Sequence, residues 1–81
     1  MLHVEEAEYR GDYRIWMRFN EGTQGEVDLA KELEGEVFYP LKALNYFRRV
    51  QLSGHTVAWP NGADFAPEYL RDLLRRQYTE L

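Results

Sequence analysis

Trp59-Pro60-Asn61-Gly62-Ala63-Asp64 constrains the fold more than any other run in this chain. Proline cannot donate to a ladder, so a strand through Thr56 to Trp59 has to stop at Pro60. Asn61-Gly62 supplies a left-handed turn, and Pro67 suits the first position of a helix. The run therefore predicts a strand end, a rigid aromatic-anchored turn and a helix start. On a structural reading, Trp59 anchors the core and Asp64 accepts backbone N–H groups near the helix start. On a functional reading, the loop presents Asn61 and Asp64 to a ligand beside the helix N-terminus. Turn residues mostly serve turns, which favours the first reading.

The remaining pattern is that of a small α+β chain. Tyr13, Ile15, Met17 and Phe19 alternate with Arg14, Trp16 and Arg18, which predicts a strand over 13–19. Residues 2–9 read as a strand whose phase slips near Glu5-Glu6, as a bulge would cause. Residues 24–29 read as a third strand, with Val27 and Leu29 inward. Turns at Arg10-Gly11-Asp12 and Asn20-Glu21-Gly22 join the three into an antiparallel meander. Asp28 is placed to cap a helical turn through Leu29 to Leu33. Val37, Phe38, Leu41, Leu44 and Phe47 then recur at helical spacing. Pro40 restricts that stretch to short turns, the second of them capped by Asn45. Val50 and Leu52, a turn at Ser53-Gly54-His55, and Val57 with Trp59 predict a hairpin. A helix over 67–77 carries Leu70, Leu73, Leu74 and Tyr78 as its apolar stripe, with Asp72 paired to Arg75 or Arg76.

Eighty-one residues suit one domain, 1–81. The expected architecture is an antiparallel sheet of about five strands, an N-terminal meander plus a later hairpin, packed with short helices and a C-terminal helix. The 44% hydrophobic and 15% aromatic content rejects disorder. There is no cysteine, which excludes disulfides, a thiol nucleophile and a Cys-based zinc site. No apolar run reaches membrane-spanning length and the N-terminus lacks signal-peptide character, so no membrane association and a cytoplasmic location are expected. A net charge of −4 disfavours nucleic acid as a main partner, although Arg71, Arg75 and Arg76 leave a weak accessory reading.

Catalytic signals are thin. His3 and His55 show no metal-type spacing, and Ser53, the only serine, lies in a predicted turn without a nucleophile elbow. Asp28 and Asp64 alone among the carboxylates sit beside apolar neighbours that would desolvate them. An enzyme or small-ligand binder using Asp28, Asp64 and a histidine is the alternative reading. No cofactor is expected. Trp16 points away from the Ile15, Met17 and Phe19 face. Either the Leu29 to Phe47 segment or another loop covers it, or Trp16 with Arg14 and Arg18 forms a partner contact.

Gly35-Glu36-Val37-Phe38-Tyr39-Pro40-Leu41-Lys42, then Phe47 and Val50, then Val57 to Asp64 with Pro67, resemble the prokaryotic "domain of unknown function 2442" family. Phe19-Asn20-Glu21-Gly22 and Val27-Asp28-Leu29 fit its early strands, and the match runs from about Val4 to Leu74. Ala43-Leu44-Asn45 departs from the polar Asp-Pro break common there, which leaves the local helix boundary open. The resemblance implies a small α+β fold and transfers no catalytic residue. Some members carry an added helix-turn-helix domain, for which a chain stopping at Leu81 is too short. Many stand beside another small protein in what looks like a toxin–antitoxin arrangement. The expectation is a protein-interaction module whose partner is a second copy or a small cognate protein. The sheet face and the Asn61 to Asp64 loop are its expected contacts.

Overall fold

The computed structural model describes residues 1–79. Strands β1 (Val4–Tyr9), β2 (Arg14–Phe19) and β3 (Gln24–Asp28) form an antiparallel meander in that order. The alternation along β2 buries Ile15, Met17 and Phe19 completely. Ala7 lies opposite Met17 and Tyr9 opposite Ile15, and the register shifts between Val4 and Glu6. A one-residue slip turns every side chain to the other face. The bulge uses that rule to bring Val4, Ala7 and Tyr9 to one core-facing side. Gly11 and Asp12 both take positive φ in the first turn, where glycine costs least.

The chain after β3 folds back over the inner side of this sheet. The Asp28 carboxylate accepts the Ala30 N–H at 2.9 Å and opens a 3-10 turn at Ala30–Glu32. A second 3-10 turn spans Tyr39–Lys42 with Pro40 in its first turn, and helix α1 spans Leu44–Phe47. The expected Asn45 cap is not formed. Ala43 is already extended and serves as the cap residue, so the helix starts before Asn45. Leu33, Leu41 and Phe47 pack into the same cluster as Ile15 and Met17. The Leu29 to Phe47 segment therefore covers the inner face and not Trp16.

Strands β4 (Gln51–Ser53) and β5 (Thr56–Ala58) form a separate two-stranded sheet. It is tied to β1 by the Val4 N–H donating to the His55 carbonyl at 2.9 Å. Leu52, which alternates with Gln51 and Ser53, is 43% exposed. Thr56 and Val57 of β5 take the buried positions, leaving β4 outside. The buried Thr56 hydroxyl donates to the Phe65 carbonyl at 2.6 Å, which satisfies it.

Trp59 follows β5 and is buried, with its indole N–H donating to the Phe47 carbonyl at 2.8 Å. The following turn closes on itself: Gly62 N–H donates to the Trp59 carbonyl and Trp59 N–H to the Ala63 carbonyl. Helix α2 (Pro67–Thr79) buries Leu70, Leu73 and Leu74. Burying each such side chain is worth about 1.5–3 kcal/mol. Ile15, Met17, Val27, Val57 and Leu73 lie in one core cluster that joins both sheets to α2. Tyr78, expected on the buried stripe, is 52% exposed, because the last turn of α2 reaches beyond the core to the margin of β3. Among the described residues, no helix is long and apolar enough to cross a membrane.

Candidate interaction face

The outer side of the meander carries Arg14, Trp16 and Arg18 on its central strand. Glu8 and Glu26 flank Trp16, while Glu6 and Gln24 flank Arg18. Asp28 lies opposite Arg14. Charge thus alternates strand by strand: acidic on β1, basic around an aromatic on β2, acidic on β3. Arg14 contacts Glu26 at 3.1 Å, and Arg18 contacts Glu6 at 3.1 Å and Glu5 at 3.8 Å. The Arg10 guanidinium stands 5.6 Å from the Trp16 ring centroid and 3.6 Å from Glu8. All these groups are partly solvated, so each pair is worth only about 0–1 kcal/mol. Their main effect is to hold Trp16 half-buried in a fixed charged frame.

The free edge of β3 is closed by the end of α2. The Gln77 carboxamide accepts the Asp28 N–H at 2.9 Å and donates to the Asp28 carbonyl at 2.8 Å. The Tyr78 hydroxyl accepts the Glu26 N–H at 3.3 Å. Two side chains thus stand in for the backbone of a missing neighbour strand, which blunts an edge that would otherwise invite pairing. A Cβ on Gly25 would lie 2.6 Å from the Tyr78 ring, so only glycine lets the ring approach. Beside this lock, Arg14, Glu26, Asp28, Gln77 and Tyr78 line a concavity of about 430 Å³. A second, lined in part by Asp28, Lys31, Glu32 and Arg76, measures about 420 Å³. Sequence reasoning missed Gln77 and Tyr78 as edge residues. The available signal was Gly25 inside a strand, a mark of close approach.

The Asn61 to Asp64 loop is largely occupied with its own structure. Asn61 donates to the Val37 carbonyl at 2.9 Å and accepts the Ala63 N–H at 3.1 Å. Asp64 pairs through its backbone with Ala58. Its carboxylate is exposed and accepts no hydrogen bond among the described residues. The expected Asp64 cap is therefore corrected: Phe65 and Ala66 separate it from Pro67, too far for a side chain to reach the first turn.

The alternative catalytic set is not brought together. Asp28 is held at the C-terminal end of α2 by Gln77, whereas Asp64 precedes its N-terminal end. Those ends are about 15 Å apart or more. Both residues are exposed. The His3 ring meets the Met1 carbonyl at 3.2 Å and Glu5 at 3.9 Å. His55 is exposed and contacts Val4 through its backbone. No group of three or more His, Asp and Glu among the described residues is arranged to hold a metal. Arg71 and Arg75 reach Glu21 at 3.8 and 3.7 Å, and Arg76 reaches Asp72 at 3.0 Å. The Thr23 side chain, then the Thr23 N–H, then these two arginines hold the Glu21 carboxyl below the ordinary glutamate range. The Tyr69 hydroxyl donates to Glu32. That bond, followed by burial and the Glu32 charge, raises its pKa.

The sequence profile of the family described as "Protein of unknown function (DUF2442)" matches residues 4–76. No curated protein and no solved structure matches the chain.

Proposed function

We propose, from the premise that this chain belongs to the DUF2442 family, that it acts as a protein-interaction module through the outer face of β1–β3. The observation that carries this reading is Trp16. It sits at the middle of the outer sheet face, outside the core cluster of the described residues, framed by Arg10, Arg14 and Arg18. Tryptophan and arginine are the residues that most often anchor protein contacts. The dispersal of Asp28 and Asp64 weighs against the enzymatic alternative.

The partner is a second protein chain, either a copy of this one or a small cognate protein in an antitoxin-like pairing in a prokaryotic cytoplasm. Size bears on its reach. Three strands of five or six residues cover about 14 by 20 Å, or about 300 Å². A stable interface takes about 800 Å² from each side. A firm partner must therefore extend past the face, and the concavity beside Tyr78 is one direction in which it can do so.

The test compares wild type with Trp16→Ala by mass in solution and by capture from the native cell. Loss of a defined higher mass, or of one captured chain, with the fold intact supports the reading. Identical mass and identical capture in both proteins contradict it.

A further inference from the structure

We infer that the β3 edge is a docking site for an extended, basic segment of the partner, and that Gln77 and Tyr78 hold its place until that segment arrives. This rests on the reading of the chain as an interaction module and names where and with what chemistry it binds.

The hydrogen bonding of the meander dictates which groups face outward. In an antiparallel pair, alternate residues turn their N–H and C=O away from the neighbour strand. The outward N–H groups of Glu26 and Asp28 are those taken by Tyr78 and Gln77. Gln24, two residues earlier in the same alternation, turns its backbone the same way. The edge therefore offers the three-residue repeat that an incoming strand reads. Gln77 already imitates such a strand, because its carboxamide makes the paired acceptor and donor contacts at Asp28 that a backbone would make. A partner strand replaces these contacts one for one, and the displaced side chains lie on the terminal turn of α2 and are partly solvated.

Charge selects the occupant. Side chains directly across a sheet interact, opposite charges favourably and like charges unfavourably. Glu26 and Asp28 face outward on β3, so a strand added beside them carries lysine or arginine at alternate positions. That continues the acidic, basic, acidic sequence of the existing strands. A second copy pairing β3 with β3 would set acidic residues against each other, which disfavours self-association at this edge. The concavity of about 430 Å³ bounded by Arg14, Glu26 and Asp28 gives the long basic side chains room. This is β-strand addition, in which backbone bonds supply affinity and alternate side chains supply selectivity.

The probe is a seven-residue peptide of alternating lysine and valine, with a glutamate-valine peptide as control. Both are titrated into ¹⁵N-labelled full-length protein while amide resonances are followed. The lysine peptide is expected to shift the Gln24, Glu26 and Asp28 amides and to slow their exchange, and the glutamate peptide to do neither. Gln77→Ala should bind the lysine peptide roughly tenfold more tightly, since fewer internal bonds are given up. Tyr78→Phe, which keeps the ring over Gly25, should tighten binding in the same direction. Unmoved Glu26 and Asp28 amides in wild type and both variants would overturn the inference. Equal binding of the two peptides, or shifts confined to Arg14, Trp16 and Arg18, would overturn it as well. If the edge stays silent while Trp16→Ala still abolishes partner capture, only the edge site fails and the module reading survives.

Discussion

Trp59 and Phe47 are joined twice, by the indole N–H donating to the Phe47 carbonyl at 2.8 Å and by rings 5.4 Å apart. This pair links the second sheet to α1. It continues through Phe65 on one side and through Tyr9 and Tyr13 on the other. Trp59→Phe keeps most of the packing and removes the indole donor, leaving the Phe47 carbonyl with only the Val50 N–H at 3.2 Å. Losing one of two hydrogen bonds at a carbonyl that keeps the other costs about 0.5–1.5 kcal/mol. The expected result is a lower urea midpoint by that amount, and Trp59→Ala should cost about 3–5 kcal/mol. A midpoint unchanged in Trp59→Phe would show that the bond contributes nothing.

Trp16 should behave in the opposite way. It is half-buried on the outer face and its ring lies under the Arg10 guanidinium, an interaction worth about 0.5–1 kcal/mol at a solvated site. Trp16→Ala is expected to shift stability by no more than about 1 kcal/mol in chemical denaturation. A loss several times larger would make Trp16 a core residue and remove the basis for its role in recognition.

Gly25→Ala should disturb the far end of the chain. The added carbon would meet the Tyr78 ring at 2.6 Å, and forced overpacking costs about 1–3 kcal/mol. Shrinking Tyr78 to Ala in the same molecule should recover part of that loss. A double-mutant cycle with no coupling between the two sites would show that the ring does not lie against Gly25 in solution.

Glu21 predicts a mild acid sensitivity. Its folded pKa is lowered, so its contribution is fully present above the ordinary value of 4.5 and is lost as pH falls through the lower folded-state value. Glu21→Gln should therefore bring the urea midpoint toward wild type at about pH 3 and fall below it at about pH 6. The same gap at both pH values would mean that proton binding at Glu21 is not coupled to folding.

Much of the fold could be read along the chain because β1, β2, β3 and α2 each keep one face dry. The alternation from Tyr13 to Phe19 marks β2, and the phase slip at Glu5-Glu6 marks the bulge. Pro60, Gly62 and Pro67 mark the turn and the helix start. Other features depend on contacts that no local pattern encodes. Tyr78 falls on the apolar stripe of α2 by spacing, yet α2 outruns the core and turns that residue to the sheet margin. Asp64 has the composition of a cap, but the strand bridge to Ala58 takes its backbone first. Leu52 alternates correctly on a strand that has no core beneath it. For the candidate face, the outward set of Trp16, Arg14 and Arg18 was legible from period two alone. Its closure by Gln77 was not, since the contact with Asp28 spans 49 residues.

That long span has a consequence during synthesis. The three strands of the meander leave the ribosome together, each beside its pairing neighbour, whereas Gln77 and Tyr78 emerge about fifty residues later. At translation speeds of about 5–20 residues per second, the sheet waits several seconds for its guard. For that interval the nascent chain displays an unguarded strand to other polypeptides, and the tempo of elongation sets how long the hazard lasts.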